Sequence, residues 1–256
     1  MFYVLDTMLA LPTVVIAIAV LAFWTLIALA VHRIIVPALC GPDGRRLGKF
    51  EAEVTSQIAL AFGLLISFNA VWIWDRIDRV QGAVYNEAAA LSRLVDEAEV
   101  LSDKQSGDEI RRAIADYTTH LVRSEWPTLQ DSSTDRARPA ALGMLSSIVR
   151  AKGTDVMEAD IEAAQAARDV RIRDGLVHMP MPRWSVVTAL AILLLISIGA
   201  LHGDAPQGRK LALSLVTLAV TFCFVVLFAN ARPFVGEYAI KPTDLENVLF
   251  RAMADQ

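Results

Sequence analysis

Charged residues are absent from four long stretches of this sequence. They make up 20% of the chain against 55% hydrophobic residues, whereas soluble domains average about 25% charged and about 45–50% apolar residues. At about 1.5 Å per residue, each stretch forms a helix that can cross the roughly 30 Å hydrocarbon layer, the third only just. The sequence therefore predicts an all-α polytopic membrane protein with four transmembrane helices. The uncharged stretches are residues 7–31, 54–74, 184–201 and 211–231.

Cysteine, histidine and catalytic motifs are also scarce. Cys40 and Cys223 provide neither a metal-ligand spacing nor a disulfide framework. The four histidines are widely scattered, and HExxH, GxSxG and glycine-rich phosphate-loop patterns are missing. We therefore expect no enzyme, no cofactor and no metal site. The formal net charge of −4 also argues against a basic surface for nucleic acid.

Two short polar connections, residues 40–49 and 202–210, pair the spans into hairpins. Both connections are rich in glycine and charge, which is typical of solvated turns. Two hairpins place both chain termini on the same side of the membrane as the region between them. The predicted organisation is a first transmembrane hairpin over 1–74, a soluble helical domain over 75–182, a second transmembrane hairpin over 183–232, and a C-terminal tail over 233–256.

The region between the hairpins has helical periodicity without strand-like alternation. No proline interrupts residues 51–101, so span two is expected to continue beyond the bilayer as one rod. A capping box at 106–109 predicts a second helix that ends at Trp126-Pro127. Two more helices are expected, over 139–151 and 155–177.

Glu87 interrupts an otherwise apolar heptad seam on the rod. A charge at such a position needs a partner or water. Glu87 therefore either forms a buried ion pair or cap with a neighbouring helix, or faces an axial pathway or a bound cation. Asp75 and Asp78 follow span two and form either a vestibule ring or a charged collar at the membrane surface. Arg232 follows span four and is either part of a helix stop signal or a residue at a pore mouth.

Span two carries two distinct stripes. Its small residues Ala59, Gly63, Ser67 and Ala70 would allow close helix approach. An apolar stripe with one amide either packs against other helices or lines a constriction that gates by dewetting. The pore-lining candidates on this stripe are Ile58, Phe62, Ile66, Asn69 and Ile73.

The basic residues of the short loops predict the orientation. Arg33, Arg45, Arg46 and Lys49 belong to the first loop and Arg209 and Lys210 to the second, and such residues favour the cytoplasm. This count predicts an inner-membrane protein whose termini and central helices are extracytoplasmic.

Three segments resemble a bacterial membrane family that is often labelled bestrophin-like. They are residues 74–91, which include Glu87, then Glu125-Trp126-Pro127, and then Arg232-Pro-Phe-Val-Gly236. The resemblance implies a homopentameric anion (chloride) channel whose pore is lined by span two, with the termini and the insertion in the cytoplasm, opposite to the charge count. The acidic run that holds calcium in bestrophins has no counterpart after Arg232, so calcium gating is not expected.

Three functional hypotheses remain open at this point. The first is a homo-oligomer that conducts inorganic anions across the lipid bilayer. The second is a non-conducting sensor or scaffold with an extracytoplasmic helical bundle. The third, a transporter with a midplane site, has less support because no charged residue lies within any of the four spans.

Overall fold

The computed structural model describes residues 12–41, 46, 50–130, 139–177 and 179–254, and every regular element among them is a helix. This confirms the all-α class. A π-helical turn at Val31–Ile35 interrupts α1, and another at Leu121–Glu125 joins α3 to α4. The helices are α1 (Thr13–Cys40), α2 (Ala52–Val100), α3 (Lys104–His120), α4 (Trp126–Gln130), α5 (Ala140–Lys152), α6 (Asp155–Gly175), α7 (Met181–Leu201), α8 (Pro206–Ala229) and α9 (Thr243–Met253).

The chain divides into two compact units. The membrane unit takes the described residues within 1–74, 178–232 and 236–238, and the helical unit takes those within 75–177, 233–235 and 239–256. Helix α2 is shared, because its first part belongs to the membrane unit and the rest to the helical unit.

The membrane unit consists of α1, the first part of α2, α7 and α8. These four helices are long and apolar enough to cross a bilayer, which confirms the four predicted spans. Trp24, Leu195 and Phe224 belong to the core of this unit. Helix α7 approaches α1 closely at Gly199, where a Cβ atom would lie 2.6 Å from Val36 Cγ2. Only glycine permits this approach without a shift of the valine side chains of α1.

The helical unit packs around a second apolar core. The heptad positions Leu91 and Leu94 are fully buried there, together with Ile110 and Ile114 of α3. Helices α5 and α6 occupy nearly the ranges expected for them. The C-terminal residues 243–253 form α9, which buries Leu245 in the same core.

Three local expectations were wrong. Helix α3 begins at Lys104 rather than at the predicted capping box, because the Asp103 carboxylate accepts a hydrogen bond from the Gln105 N–H at 3.2 Å. The chain does not stop being helical at Trp126-Pro127. The π-helical turn before Pro127, in which the Trp126 N–H donates to the Leu121 carbonyl, changes the hydrogen-bond register where the proline ring would otherwise clash, and the helix continues to Gln130. Cys40 is the buried last residue of α1 rather than a loop residue.

Candidate functional site

A buried network of two carboxylates and two guanidinium groups lies inside the helical unit. Glu87 of α2 accepts a hydrogen bond from Arg171 Nε at 2.7 Å, and Arg171 Nη2 donates to Glu125 Oε1 at 2.7 Å. Glu125, the last residue of the π-helical turn, also accepts from Arg168 Nε at 2.9 Å and Nη2 at 2.6 Å. The network joins α2, the π-helical turn and α6.

The network is removed from water, with Glu87 and Arg171 both 0% exposed. Burial acts to raise the pKa of the Glu125 carboxyl, but attraction to Arg171 and the hydrogen bonds from Arg168 and Arg171 outweigh it and hold the pKa below its usual range. Burial acts to lower the pKa of Arg171, but Glu87 and Glu125 more than compensate and raise it. Both groups are therefore charged at neutral pH.

Two aromatic side chains complete this cluster. The Tyr117 hydroxyl donates to Glu87 Oε1 at 2.7 Å, and burial followed by the Glu87 charge raises the pKa of Tyr117 well above its usual value. The Arg171 guanidinium lies over the Trp126 ring at 5.6 Å from its centroid, a distance at which cation–π attraction is significant. The edge of Phe234 packs on Trp126 with ring centroids 5.2 Å apart. We call Glu87, Tyr117, Glu125, Trp126, Arg168 and Arg171 the arginine cluster.

The arginine cluster is a charge-balanced network that links helices of the helical unit. Two carboxylates balance two guanidinium groups, and both carboxylates already accept hydrogen bonds from arginine. A carboxylate satisfied in this way has little capacity left for a cation or for proton transfer. Glu87 thus forms the buried ion pair that was the first of its two interpretations.

The predicted pore stripe of α2 faces inward within the membrane unit. Phe62, Asn69 and Ile73 are buried, with Phe62 only 7% exposed, while Ile58 and Ile66 are half-buried against the core. The Asn69 amide donates to the carbonyl of Leu65 at 2.8 Å, one turn earlier on its own helix. Within a single chain this stripe serves packing.

The opposite face of α2 is left uncovered by the residues that the structure describes. Leu60, Leu64 and Phe68 recur at four-residue spacing and are exposed, Leu64 by 55%. The small residues Gly63 and Ser67 lie beside them, and a Cβ atom at Gly63 would meet nothing within 4 Å. Sequence periodicity alone did not single out this face, because both faces of a span are apolar.

The remaining candidates do not join one site. Asp75 is exposed and pairs with Arg79, which also donates to Asp174 at 3.0 Å. Asp78 is exposed, and no ion pair is seen for it within the described part of the chain. Arg232 is half-buried just after α8. The expected vestibule would require several copies of the chain to bring such residues together.

A groove between α2 and α6 marks the surface of the helical unit. Its volume is about 620 Å³, and glycine and alanine provide much of its lining. Gly82, Ala89, Ala163 and Ala166 are among these residues. Side chains this small leave room for a helix to approach the groove closely.

Comparison with known proteins identifies the family. The model of the bestrophin-like domain matches residues 18–245. The chain belongs to the bestrophin-like family. The three segments that carry the resemblance contribute Glu87, Glu125, Trp126 and Phe234 to the arginine cluster and its surroundings.

Solved structures of bestrophin homologues have the same fold. A crystal structure of a variant of a bacterial bestrophin homologue from Klebsiella pneumoniae is 13% identical, with 94% of this chain and 99% of the homologue covered and a TM-score of 0.68. Another variant of that homologue is 11% identical, with coverages of 91% and 97% and a TM-score of 0.69. Identity this low shows the fold alone. Among curated proteins none matches the chain significantly.

The sequence patterns missed the two arginines and the tyrosine. Arg168 and Arg171 lie three residues apart in an alanine-rich helix and are 2% and 0% exposed. Their spacing places them on one helix face with Ala164, which is also buried. Charged residues on an apolar helix face were the signal that would have predicted partners for Glu87.

Proposed function

We propose that this bestrophin-like protein is a homo-oligomeric ion channel of the cell (inner) membrane. Small inorganic anions are the permeant ions that the resemblance to bestrophins implies. The observation that carries the proposal is the apolar face of α2, which the described part of a single chain leaves uncovered. Arranged around a symmetry axis, this face would provide a continuous apolar lining.

The exposed face of Leu60, Leu64 and Phe68 can line a pore without repacking of the chain. The predicted stripe of Ile58, Phe62, Ile66, Asn69 and Ile73 cannot. That stripe lines a pore only if assembly opens the packing that buries Phe62 and Ile73. Leu60, Leu64 and Phe68 need no such rearrangement. The two linings make different predictions for matched substitutions.

Replacing Leu64 by alanine should increase ion flux, because a wider and less apolar constriction stays hydrated more readily. Replacing Phe62 by alanine, one of the predicted stripe residues, should leave the conductance of assembled channels unchanged and lower thermal stability, because it removes a buried ring. The measurement is chloride flux and single-channel conductance in liposomes at equal protein density, with Tm in detergent measured in parallel. An altered conductance only in Phe62→Ala would assign the pore to the predicted stripe.

Homo-oligomerisation is supported by two uncovered surfaces of small residues. One is the Gly63 and Ser67 face of α2, and the other is the groove between α2 and α6. Each fits a helix from a second copy at close range. The resemblance implies five copies, which cross-linking or particle imaging in mild detergent would count.

The alternative function is a non-conducting sensor or scaffold. The observation that favours it is the helical unit itself, which combines a rigid buried ion network with an uncovered groove of about 620 Å³. The flux assay separates the two functions. An assembled wild-type protein that gives no flux for chloride or other small anions would contradict the channel and favour the scaffold.

The orientation proposal follows the basic loops, which favour a helical unit and termini outside the cytoplasm. In a background without Cys40 and Cys223, the exposed Val100→Cys in the helical unit should react with a membrane-impermeant maleimide in intact cells. Gln207→Cys, exposed in the first turn of α8 next to the second hairpin loop, should react only after the membrane is permeabilised. The reverse pattern would place the helical unit in the cytoplasm, as the bestrophin resemblance implies.

A further inference from the structure

A cavity of about 610 Å³ lies in the membrane unit between α1 and α8. Its lining changes character along its length. One end has His32 and Arg33 of α1 with Lys210 of α8, and the other end has Leu21 and Leu218. Arg209 Nε donates to His32 Nδ1 at 3.0 Å, which shows that the basic parts of the two helices lie at the same end.

The basic end carries charge that the chain does not neutralise. Among the residues that the structure describes, neither Arg33 nor Lys210 has an acidic partner, and both are exposed. Arginine only donates hydrogen bonds, so His32 accepts at Nδ1 and carries its proton at Nε2. His32, Arg33 and Lys210 therefore offer hydrogen-bond donors to an anion, and none of the three carries a negative charge that would repel it.

A buried hydroxyl in the same cavity also needs a partner. Thr217 is 5% exposed and lines the cavity, yet its Oγ1 has no hydrogen-bond partner in the described part of the chain. Thr221, one turn later, satisfies its own hydroxyl by donating to the Thr217 carbonyl at 2.8 Å. Thr217 lies seven residues beyond Lys210 on α8, which is roughly 10 Å deeper along the helix axis.

We propose that this cavity binds one anionic phospholipid. The phosphate of the headgroup would accept from Arg33, Lys210 and His32 Nε2, because arginine and lysine donate charge-assisted hydrogen bonds to phosphate. An ester carbonyl of the same lipid would accept from Thr217 after its covered hydroxyl rotates toward the cavity, and one acyl chain would lie along Leu21 and Leu218. Charge complementarity at one end and apolar surface at the other favour a lipid over a free anion. The proposal needs a membrane-embedded chain and is independent of ion conduction.

The test measures binding of dioctanoyl phosphatidylglycerol to the detergent-solubilised full chain by titration calorimetry or native mass spectrometry. Dioctanoyl phosphatidylcholine has the same chains without net negative charge, and inorganic phosphate has the charge without chains. We expect phosphatidylglycerol to bind at least about tenfold more tightly than phosphatidylcholine, because both lipids offer a phosphate but the choline cation would be repelled by Arg33, Lys210 and Arg209. Inorganic phosphate should not displace it at similar concentrations.

Substitutions locate the site. Arg33→Gln with Lys210→Gln should weaken phosphatidylglycerol binding by about tenfold or more. The matched control Arg112→Gln with Lys241→Gln removes the same charge from exposed positions in the helical unit and should have no effect. Thr217→Val keeps the side-chain shape and should weaken binding a few-fold.

Three results would overturn the proposal. They are equal affinity for the two lipids, affinity for inorganic phosphate that matches the lipid, and unchanged lipid binding in the Arg33 and Lys210 double variant. If that double variant fails to fold, the wild-type comparison of lipids and the Thr217→Val variant still decide.

Discussion

Replacing Arg171 by methionine should destabilise the protein by about 3–5 kcal/mol, because it leaves buried carboxylates without their cation. Methionine preserves most of the side-chain volume, so the loss reports charge rather than a cavity. Total stabilities of about 5–15 kcal/mol are usual, so this loss would be a large fraction. The measurement is Tm of the solubilised protein, and we expect a fall of roughly 10 °C.

Arg173→Met is the matched control, two residues further along α6. Its side chain is 67% exposed and, among the residues that the structure describes, pairs with Asp174 alone, at 3.1 Å. Exposed pairs of this kind contribute about 0–1 kcal/mol. Adding Glu87→Gln to Arg171→Met should recover part of the lost stability, because the buried negative charge is then removed. Equal effects of Arg171→Met and Arg173→Met would contradict the arginine cluster as a structural centre.

Replacing Phe234 by alanine should cost about 3–5 kcal/mol, the usual loss for a buried phenylalanine. Phe234 is 2% exposed, packs edge-on against Trp126, and fills the space beside Gly175, where a Cβ atom would lie 2.4 Å from its ring. Truncation removes this packing and also loosens Trp126 under the Arg171 guanidinium. Tm of the solubilised protein is again the measurement.

Two further variants define the cause of that loss. Phe250→Ala removes the same ring from α9, where the side chain is 76% exposed, and should change stability little. Phe234→Leu retains much of the buried volume and should recover most of the stability that Phe234→Ala loses. A similar loss in Phe250→Ala and Phe234→Ala would mean that the burial of Phe234 does not determine stability.

For the Arg232-Pro-Phe-Val-Gly236 segment, the sequence indicated the end of span four but not the burial of Phe234. One of the two interpretations of Arg232 was a stop signal for span four, and α8 does end at Ala229. The other interpretation placed Arg232 at a pore mouth. In the structure, Phe234 of the same segment is buried in the core of the helical unit. A single aromatic residue outside a periodic pattern carries no sequence signal for its burial.

The partner of Glu87 was decided by tertiary structure. The heptad predicted that a charge at this position needed a partner, and the structure supplies Arg171 from a helix 84 residues later in the chain. Sequence position within a periodic seam indicates burial, because burial follows from helix geometry. Which residue neutralises the charge depends on how α6 packs against α2, and the heptad around Glu87 does not contain that information.

The sequence likewise did not predict which face of α2 is exposed. Phe62 and Leu64 are both apolar and lie two positions apart, yet one is 7% and the other 55% exposed. In lipid an apolar residue is stable on either side of a helix, so hydropathy does not distinguish a packed face from an uncovered one.

The sequence by itself determined which segments are apolar enough to lie in lipid and which require water. Uncharged runs long enough to cross a bilayer have their backbone hydrogen bonds satisfied within a helix, and this requirement is local to each run. Only the tertiary structure decided the partners, namely the arginines that neutralise Glu87 and Glu125, the ring that fills the space beside Gly175, and the basic residues that gather around His32. Those choices depend on contacts between helices distant in the chain, whose energies no single segment encodes.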